Sequence, residues 1–153
     1  MDSHISSELR RFNHLLGETE GVYHEAALRL GLSDSGMKVL YAICNEGDRC
    51  PLRTVCRLSG MSKQTVNSAL RKLEAEGTVY LEPAGARNKD VCLTERGREL
   101  VRRTVIPLME LEDEIYASWT REEIQIYLAL TQRFLAALRE NVRRLSCEEK
   151  RTL

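Results

Sequence analysis

Over the first thirty positions, Ile5, Leu9, Phe12, Leu16, Thr19, Tyr23, Ala26 and Leu30 recur at alternating spacings of four and three. That spacing keeps one apolar stripe on a helix face and predicts a first helix over residues 6–30. A sustained seven-residue repeat suits packing along another long helix. Gly17 and Gly21 each weaken it by about 1 kcal/mol and mark a place for a bend or a close helix crossing. Gly31 ends the helix and Ser33 caps a second, in which Met37, Leu40, Tyr41 and Cys44 share a face. Asn45, Gly47 and Asp48 form a turn. Pro51 then takes the first position of a third helix, which turns Leu52, Val55 and Leu58 inward and Arg53 and Arg57 outward. After a turn at Ser59-Gly60, a longer helix over residues 62–76 is capped by Ser62 and buries Val66, Ala69, Leu70 and Leu73. Gly77 stops it. Two β-prone runs, residues 78–81 and 91–93, flank a polar, basic loop over 84–89 that carries the turn formers Gly85 and Asn88 just after Pro83. Thr94 caps a fifth helix with Val101, Val105, Leu108, Ile115 and Trp119 on one side and Leu111 nearby. Pro107 should kink that helix near Arg103, whose carbonyl loses its partner. Thr120 with Glu123 forms a capping box for the last helix. There Ile124, Leu128, Thr131, Leu135, Leu138, Val142 and Leu145 form one stripe, and Leu130, Phe134 and Ala137 widen it. One stripe suffices to pack on the helix's own domain; two imply that part of this surface meets another subunit.

Helix, tight turn, helix and basic hairpin describe a winged helix-turn-helix, a shape that lays one helix in a DNA major groove. The helix opening at Ser62 presents Lys63, Gln64, Thr65, Asn67, Ser68 and Arg71 opposite its core stripe. Gln and Asn can pair bidentately with adenine, and Arg or Lys with guanine. An inert surface helix would interleave Glu with Lys. Arg53 on the preceding helix and Arg87, Asn88 and Lys89 on the wing complete a candidate DNA surface, the wing Arg being able to enter a minor groove.

Charge alters the picture only when it is located. The chain has 23 basic and 23 acidic residues, which taken alone argues against nucleic acid. Residues 1–48 carry 4 basic and 8 acidic, residues 49–98 carry 10 and 5, and residues 99–153 carry 9 and 10. The excess positive charge therefore falls on the helix-turn-helix segment, where it can meet phosphate. A composition of 42% hydrophobic and 30% charged residues is that of a folded domain rather than a disordered chain. No apolar run approaches the roughly 18 residues of a membrane span, and the N-terminal residues lack a signal-peptide core, so a cytoplasmic protein is expected. Five scattered cysteines, at 44, 50, 56, 92 and 147, contain no CxxC pair and read as reduced thiols. No nucleophile elbow, phosphate loop or HExxH occurs, and the three histidines lie in the first 24 residues, so neither an enzyme nor a cofactor is indicated.

Over nearly its whole length the chain resembles the MarR family of bacterial transcription regulators. The resemblance rests on the helix order, on SGMSKQTVNSALRKLEAEG as the helix-turn-helix, and on VCLTERG leading into a long helix with a central Pro107. It implies a mainly α fold with a small two- or three-stranded β wing, in which long dimerisation helices flank the winged helix-turn-helix. Residues 1–32 would be an N-terminal dimerisation helix and 33–98 the DNA-binding domain. Residues 99–147 would be C-terminal dimerisation helices, and 148–153 a frayed tail. It further implies a homodimer in which Ile5, Leu9, Phe12, Leu16, Leu128, Leu135, Leu138 and Val142 meet the partner. Such a dimer would repress near-palindromic promoter sites until a small aromatic or phenolic ligand releases it. Candidate ligand residues are His14, Tyr23, His24, Tyr41 and Tyr116, which can pack a ring and solvate its polar end. Gly85 stands two residues before Arg87, where many relatives carry an Asp that braces the wing.

Other readings are a winged-helix module that docks an acidic protein, an oxidation sensor and a metal sensor of the ArsR kind. Among Cys44, Cys50, Cys56 and Cys92, Cys50 is the leading redox candidate, because Arg49 beside it should favour a thiolate. For a metal, Cys50 and Cys56 lie six residues apart, about 600° of helical rotation and a poor match for one face.

Overall fold

The computed structural model describes residues 5–145. His4, Cys147 and the tail expected at 148–153 lie outside the described residues. The chain divides into two compact units, residues 1–110 and 111–153.

In the first unit, helix α1 (Ser7–Leu30) starts at Ser6, whose Oγ accepts from Leu9 N at 3.1 Å. It runs unbroken through Gly17 and Gly21, and nothing in the described chain lies within 4 Å of a Cβ added at either. Helix α2 (Asp34–Asn45) is capped by Ser33, with Gly36 N donating to its Oγ at 3.0 Å. Its buried face is wider than the periodicity implied: Val39, Ala42 and Ile43 join Met37 and Leu40, while Tyr41 and Cys44 are only partly buried.

The residues after Asp48 do more than turn. Arg49–Pro51 form strand β1, so Pro51 closes a strand and caps helix α3 (Leu52–Ser59) instead of opening the helix. Three residues are too few to show a period of two, and β1 lies at the sheet edge, where Pro is tolerated. Val55 is fully buried, but Leu58, expected inward, is 44% exposed on the last turn.

Gly60 ends α3 in the left-handed region, and Ser62 caps helix α4 (Lys63–Ala75) by accepting from Thr65 N at 3.2 Å. Val66, Ala69, Leu70 and Leu73 are all buried, as their spacing requires. Strands β2 (Val79–Pro83) and β3 (Lys89–Leu93) pair antiparallel, Val79 opposite Leu93 and Pro83 opposite Lys89. Strand β1 adds to the other edge of β3, giving the order β1-β3-β2. Val79, Val91 and Leu93 face the core formed with α2, α3 and α4.

Helix α5 (Glu95–Arg103) starts at Thr94, whose Oγ1 accepts from Gly97 N at 2.9 Å and donates to Gly77 O at 2.6 Å. The chain breaks at Thr104 (φ −127°, ψ −81°) before helix α6 (Val105–Ala117). The expected kink is thus a full interruption, four to three residues before Pro107, which has no N–H for the Arg103 carbonyl. Val101 and Val105 close the core.

The second unit holds the end of α6 and helix α7 (Arg121–Val142). Thr120 and Glu123 make the reciprocal capping box, at 3.2 Å and 2.7 Å. Leu145, placed in the last helix by its spacing, lies beyond the helix end. None of α7's residues is buried. No described helix is long and apolar enough to cross a membrane.

Candidate nucleic-acid interface

The geometry of α4 follows from its sequence. At about 100° per residue, the four buried positions occupy one arc, and Gln64, Ser68 and Arg71 project almost opposite its centre. Lys63 and Asn67 lie on the flank nearer α3, Thr65 on the other. Ser62, Lys63, Gln64, Thr65, Ser68 and Arg71 are exposed, and Asn67 is half-buried. Ser62 does double duty: its Oγ also lies 2.8 Å from Thr65 Oγ1, so both hydroxyls are tied to the helix start.

Between α3, the start of α4 and the wing runs an open groove of about 700 Å³. Arg53 and Cys56 line it from α3, Lys63 and Asn67 from α4, and Arg87, Asn88 and Lys89 from the wing. Six of the eleven residues proposed from sequence as DNA contacts therefore share one concavity, although they come from three separate segments. Gln64, Ser68 and Arg71 stand outside it on the exposed arc of the same helix.

Two of the ten basic residues of 49–98 are held by carboxylates, and those on the candidate DNA face are not. Arg49 pairs with Asp90 at 2.6 Å and Glu82 at 3.0 Å, and Arg98 pairs with Glu95 at 2.9 Å and Asp48 at 3.8 Å. Arg53, Arg57, Lys63, Arg71, Arg87 and Lys89 make no salt bridge among the described residues. Cations held by a partner carboxylate would have to give it up to meet phosphate. These six would not.

The wing loop turns on Gly85 at φ 86°, a conformation that costs an Asp side chain strain, so the Gly at this place is the residue the turn requires. Asn88 N donates to Gly85 O at 3.3 Å and Ala84 N to Asn88 O at 2.9 Å. The part played by Arg49 was not visible in the sequence. Only the register, which sets Glu82 opposite Asp90 and Arg49 opposite Cys92, brings the three charges together.

The thiols depart from expectation. Cys50 is fully buried, and burial first, then the Glu46 and Asp90 charges, push its thiol up to about 11. Arg49, expected to favour a thiolate, turns its guanidinium to Asp90 and Glu82 instead. The reading of Cys50 as an activated sensor thiol is corrected accordingly. Burial and the Asp48 charge likewise raise Cys44 to about 11, and burial raises Cys92.

The residues suggested for a ligand are dispersed. His14 is exposed on α1, and His24 Nδ1 lies 2.8 Å from Asp34 Oδ2. Tyr23 and Tyr41 pack against the winged-domain core. Tyr116 belongs to an aromatic cluster of the second unit, its ring centroid 5.3 Å from Trp119 and 6.4 Å from Tyr127. None of the five lines the groove. The residues suggested for a dimer are all exposed in the single chain: Ile5, Leu9, Phe12 and Leu16 on the α1 side, Leu128, Leu135, Leu138 and Val142 on α7.

Comparison with known proteins agrees with this geometry. Residues 30–87 match the family model of the MarR family. No curated protein matches the chain. Among solved structures, a MarR-family transcriptional regulator from Silicibacter pomeroyi is 27% identical, with 86% of this chain and 89% of that one aligned at a TM-score of 0.68. NadR, solved in complex with 4-hydroxyphenylacetate, is 15% identical over 88% of this chain and 96% of its own, at a TM-score of 0.68. S. aureus MepR, solved in complex with DNA, is 20% identical over 89% and 99%, at a TM-score of 0.62. Residues 30–87, which span the helix-turn-helix and the first strand of the wing, thus match the MarR family, in a chain that carries the fold of the MarR-family transcriptional regulators.

Proposed function

We propose that the chain is a cytoplasmic, sequence-specific regulator of transcription that binds double-stranded DNA as a homodimer, α4 in the major groove and the wing against the adjacent backbone. The observation that carries this reading is the joint placement of amide side chains and unpaired cations. Gln64 and Asn67 can read base edges while Lys63, Arg53, Arg87 and Lys89 meet phosphate from both sides of one groove. A face built only to dock an acidic protein needs the cations but not the amides.

Duplication follows from the surfaces left open. The exposed apolar faces of α1 and of α7 each exceed what isolated surface residues explain, and a second copy is the partner each needs. A two-fold dimer reads half-sites about 34–36 Å apart, hence near-palindromic promoter sites. Occupying such sites blocks transcription, and a small aromatic or phenolic ligand would release the protein. NadR, with the same fold, has been solved with one aromatic acid bound.

Gel-shift titration of the protein against fragments flanking its own gene tests the reading. A retarded complex that survives excess unrelated duplex, and that Gln64→Ala with Asn67→Ala abolishes, is expected. Absence of any shift across those fragments would overturn it.

A further inference from the structure

We infer that Arg49 is the positioning residue of the wing, gripping both arms of the β2–β3 hairpin through Glu82 and Asp90 so that Arg87 and Lys89 are held toward the duplex. The inference rests on the DNA-binding reading and adds a residue that does not itself touch DNA.

Strand register sets the stage. Glu82 and Asp90 are direct partners across β2 and β3, so their side chains leave the same face of the sheet. Two like charges in that relation repel and would splay the hairpin one residue pair before the loop begins. Arg49, opposite Cys92 on the other side of β3, shares this face. Its Nε donates to Asp90 Oδ2 at 2.6 Å and its Nη1 reaches Glu82 Oε2 at 3.0 Å, so one planar guanidinium spans both carboxylates. Asp90 is the well-shielded member, its side chain 15% exposed.

The loop has no brace of its own. No side chain of residues 84–88 makes a hydrogen bond or ion pair among the described residues, and Gly85 has no side chain with which to brace the turn. The loop is held by two backbone bonds and by the direction of the strands that enter it. What fixes that direction is the clamp at Glu82 and Asp90. Lys89 adjoins Asp90 in sequence, and Arg87 lies two residues further into the loop.

The test measures DNA affinity by fluorescence anisotropy on a duplex that the unaltered protein binds. Arg49→Gln is expected to weaken binding by about tenfold, and Arg49→Lys, which keeps the charge but loses the fork, to weaken it less. Combining Arg49→Gln with Glu82→Gln and Asp90→Asn relieves the repulsion but leaves the two arms ungripped, so binding should recover only in part. In a chain that already carries Arg87→Ala and Lys89→Ala, Arg49→Gln should change affinity by less than about twofold, because the wing has nothing left to position. Amide hydrogen exchange without DNA supplies a second readout: Arg49→Gln should speed exchange at Ala84 and Asn88 and leave α4 unchanged. Full recovery in the neutralised triple variant, an equal loss in the wing-less background, or unchanged exchange would each overturn the inference. If the unaltered protein binds no duplex at all, the DNA-binding reading fails first and takes this one with it.

Discussion

Gly97→Ala should destabilise the protein although alanine is the better helix former. Gly97 sits in the first turn of α5, beneath the carbonyl of Thr78. A Cβ at this position would overlap Thr78 O, lie 3.0 Å from the Thr78 carbonyl carbon and come within 3.3 Å of Leu93 Cδ2. The carbonyl is not free to retreat, since Thr94 N donates to it at 3.0 Å and Thr94 Oγ1 at 3.1 Å, and Thr78 itself is buried. Forcing one extra carbon into so tight a contact costs about 1–3 kcal/mol. The gain in helix propensity offsets at most about 1 kcal/mol, and less in a first turn. A net loss of about 2 kcal/mol lowers the melting temperature by about 4–8 °C for a chain of this size. Circular dichroism melts at matched protein concentration measure it, concentration being fixed because association shifts the midpoint. A melting temperature equal to or above that of the unaltered protein would refute the reasoning. It would mean that α5 slides away from β2 without penalty.

Further expectations concern other parts of the chain. Ser62→Ala removes the cap of α4 and should cost about 1 kcal/mol in chemical denaturation, with DNA affinity falling in parallel. Leu138→Glu places a charge on the apolar face of α7 and should convert a dimer to monomers in sedimentation equilibrium; a variant as dimeric as its parent would contradict the interface. The thiol of Cys50 is raised in the folded chain from the ordinary 9.0 to about 11, so its contribution to stability is complete below pH 9 and is lost as pH rises from 9 through 11. That loss amounts to at most about 3 kcal/mol, and Cys50→Ala should flatten the alkaline fall measured by denaturant midpoint.

Much of the fold was legible because it rests on local signals. Ser33, Ser62, Thr94 and Thr120 each cap the helix their position announced, and the four-and-three spacing of α4 marked its buried face without error. What escaped was non-local. Strand β1 is three residues long and exists only because β3 offers an edge, so nothing in Arg49, Cys50 and Pro51 alone could mark it. The same holds for Leu58, which a helical repeat turns inward but which falls where α3 ends and the core gives out. The candidate DNA surface was readable on α4, where one helix carries its amides and hydroxyls on consecutive turns. Its groove was not, because Arg53 and Lys89 become neighbours only through the fold. Reading Cys50 beside Arg49 as an activated thiol failed for a related reason: adjacent residues on a strand point to opposite faces, and Arg49 finds its partners on the far side from the buried sulfur.

The central claim, that two copies of the α4 face and wing bind duplex DNA through free cations and read it through amides, meets its most direct test in salt dependence. Affinity for a selected duplex and for a scrambled one of equal length would be titrated against salt concentration. Arg53, Lys63, Arg71, Arg87 and Lys89, doubled by symmetry, give an expected slope of log K against log salt on the order of −5 to −9 for both duplexes. At every salt concentration the selected duplex should bind at least about a hundredfold more tightly. A slope near zero, or equal affinity for the two duplexes throughout, would contradict the account.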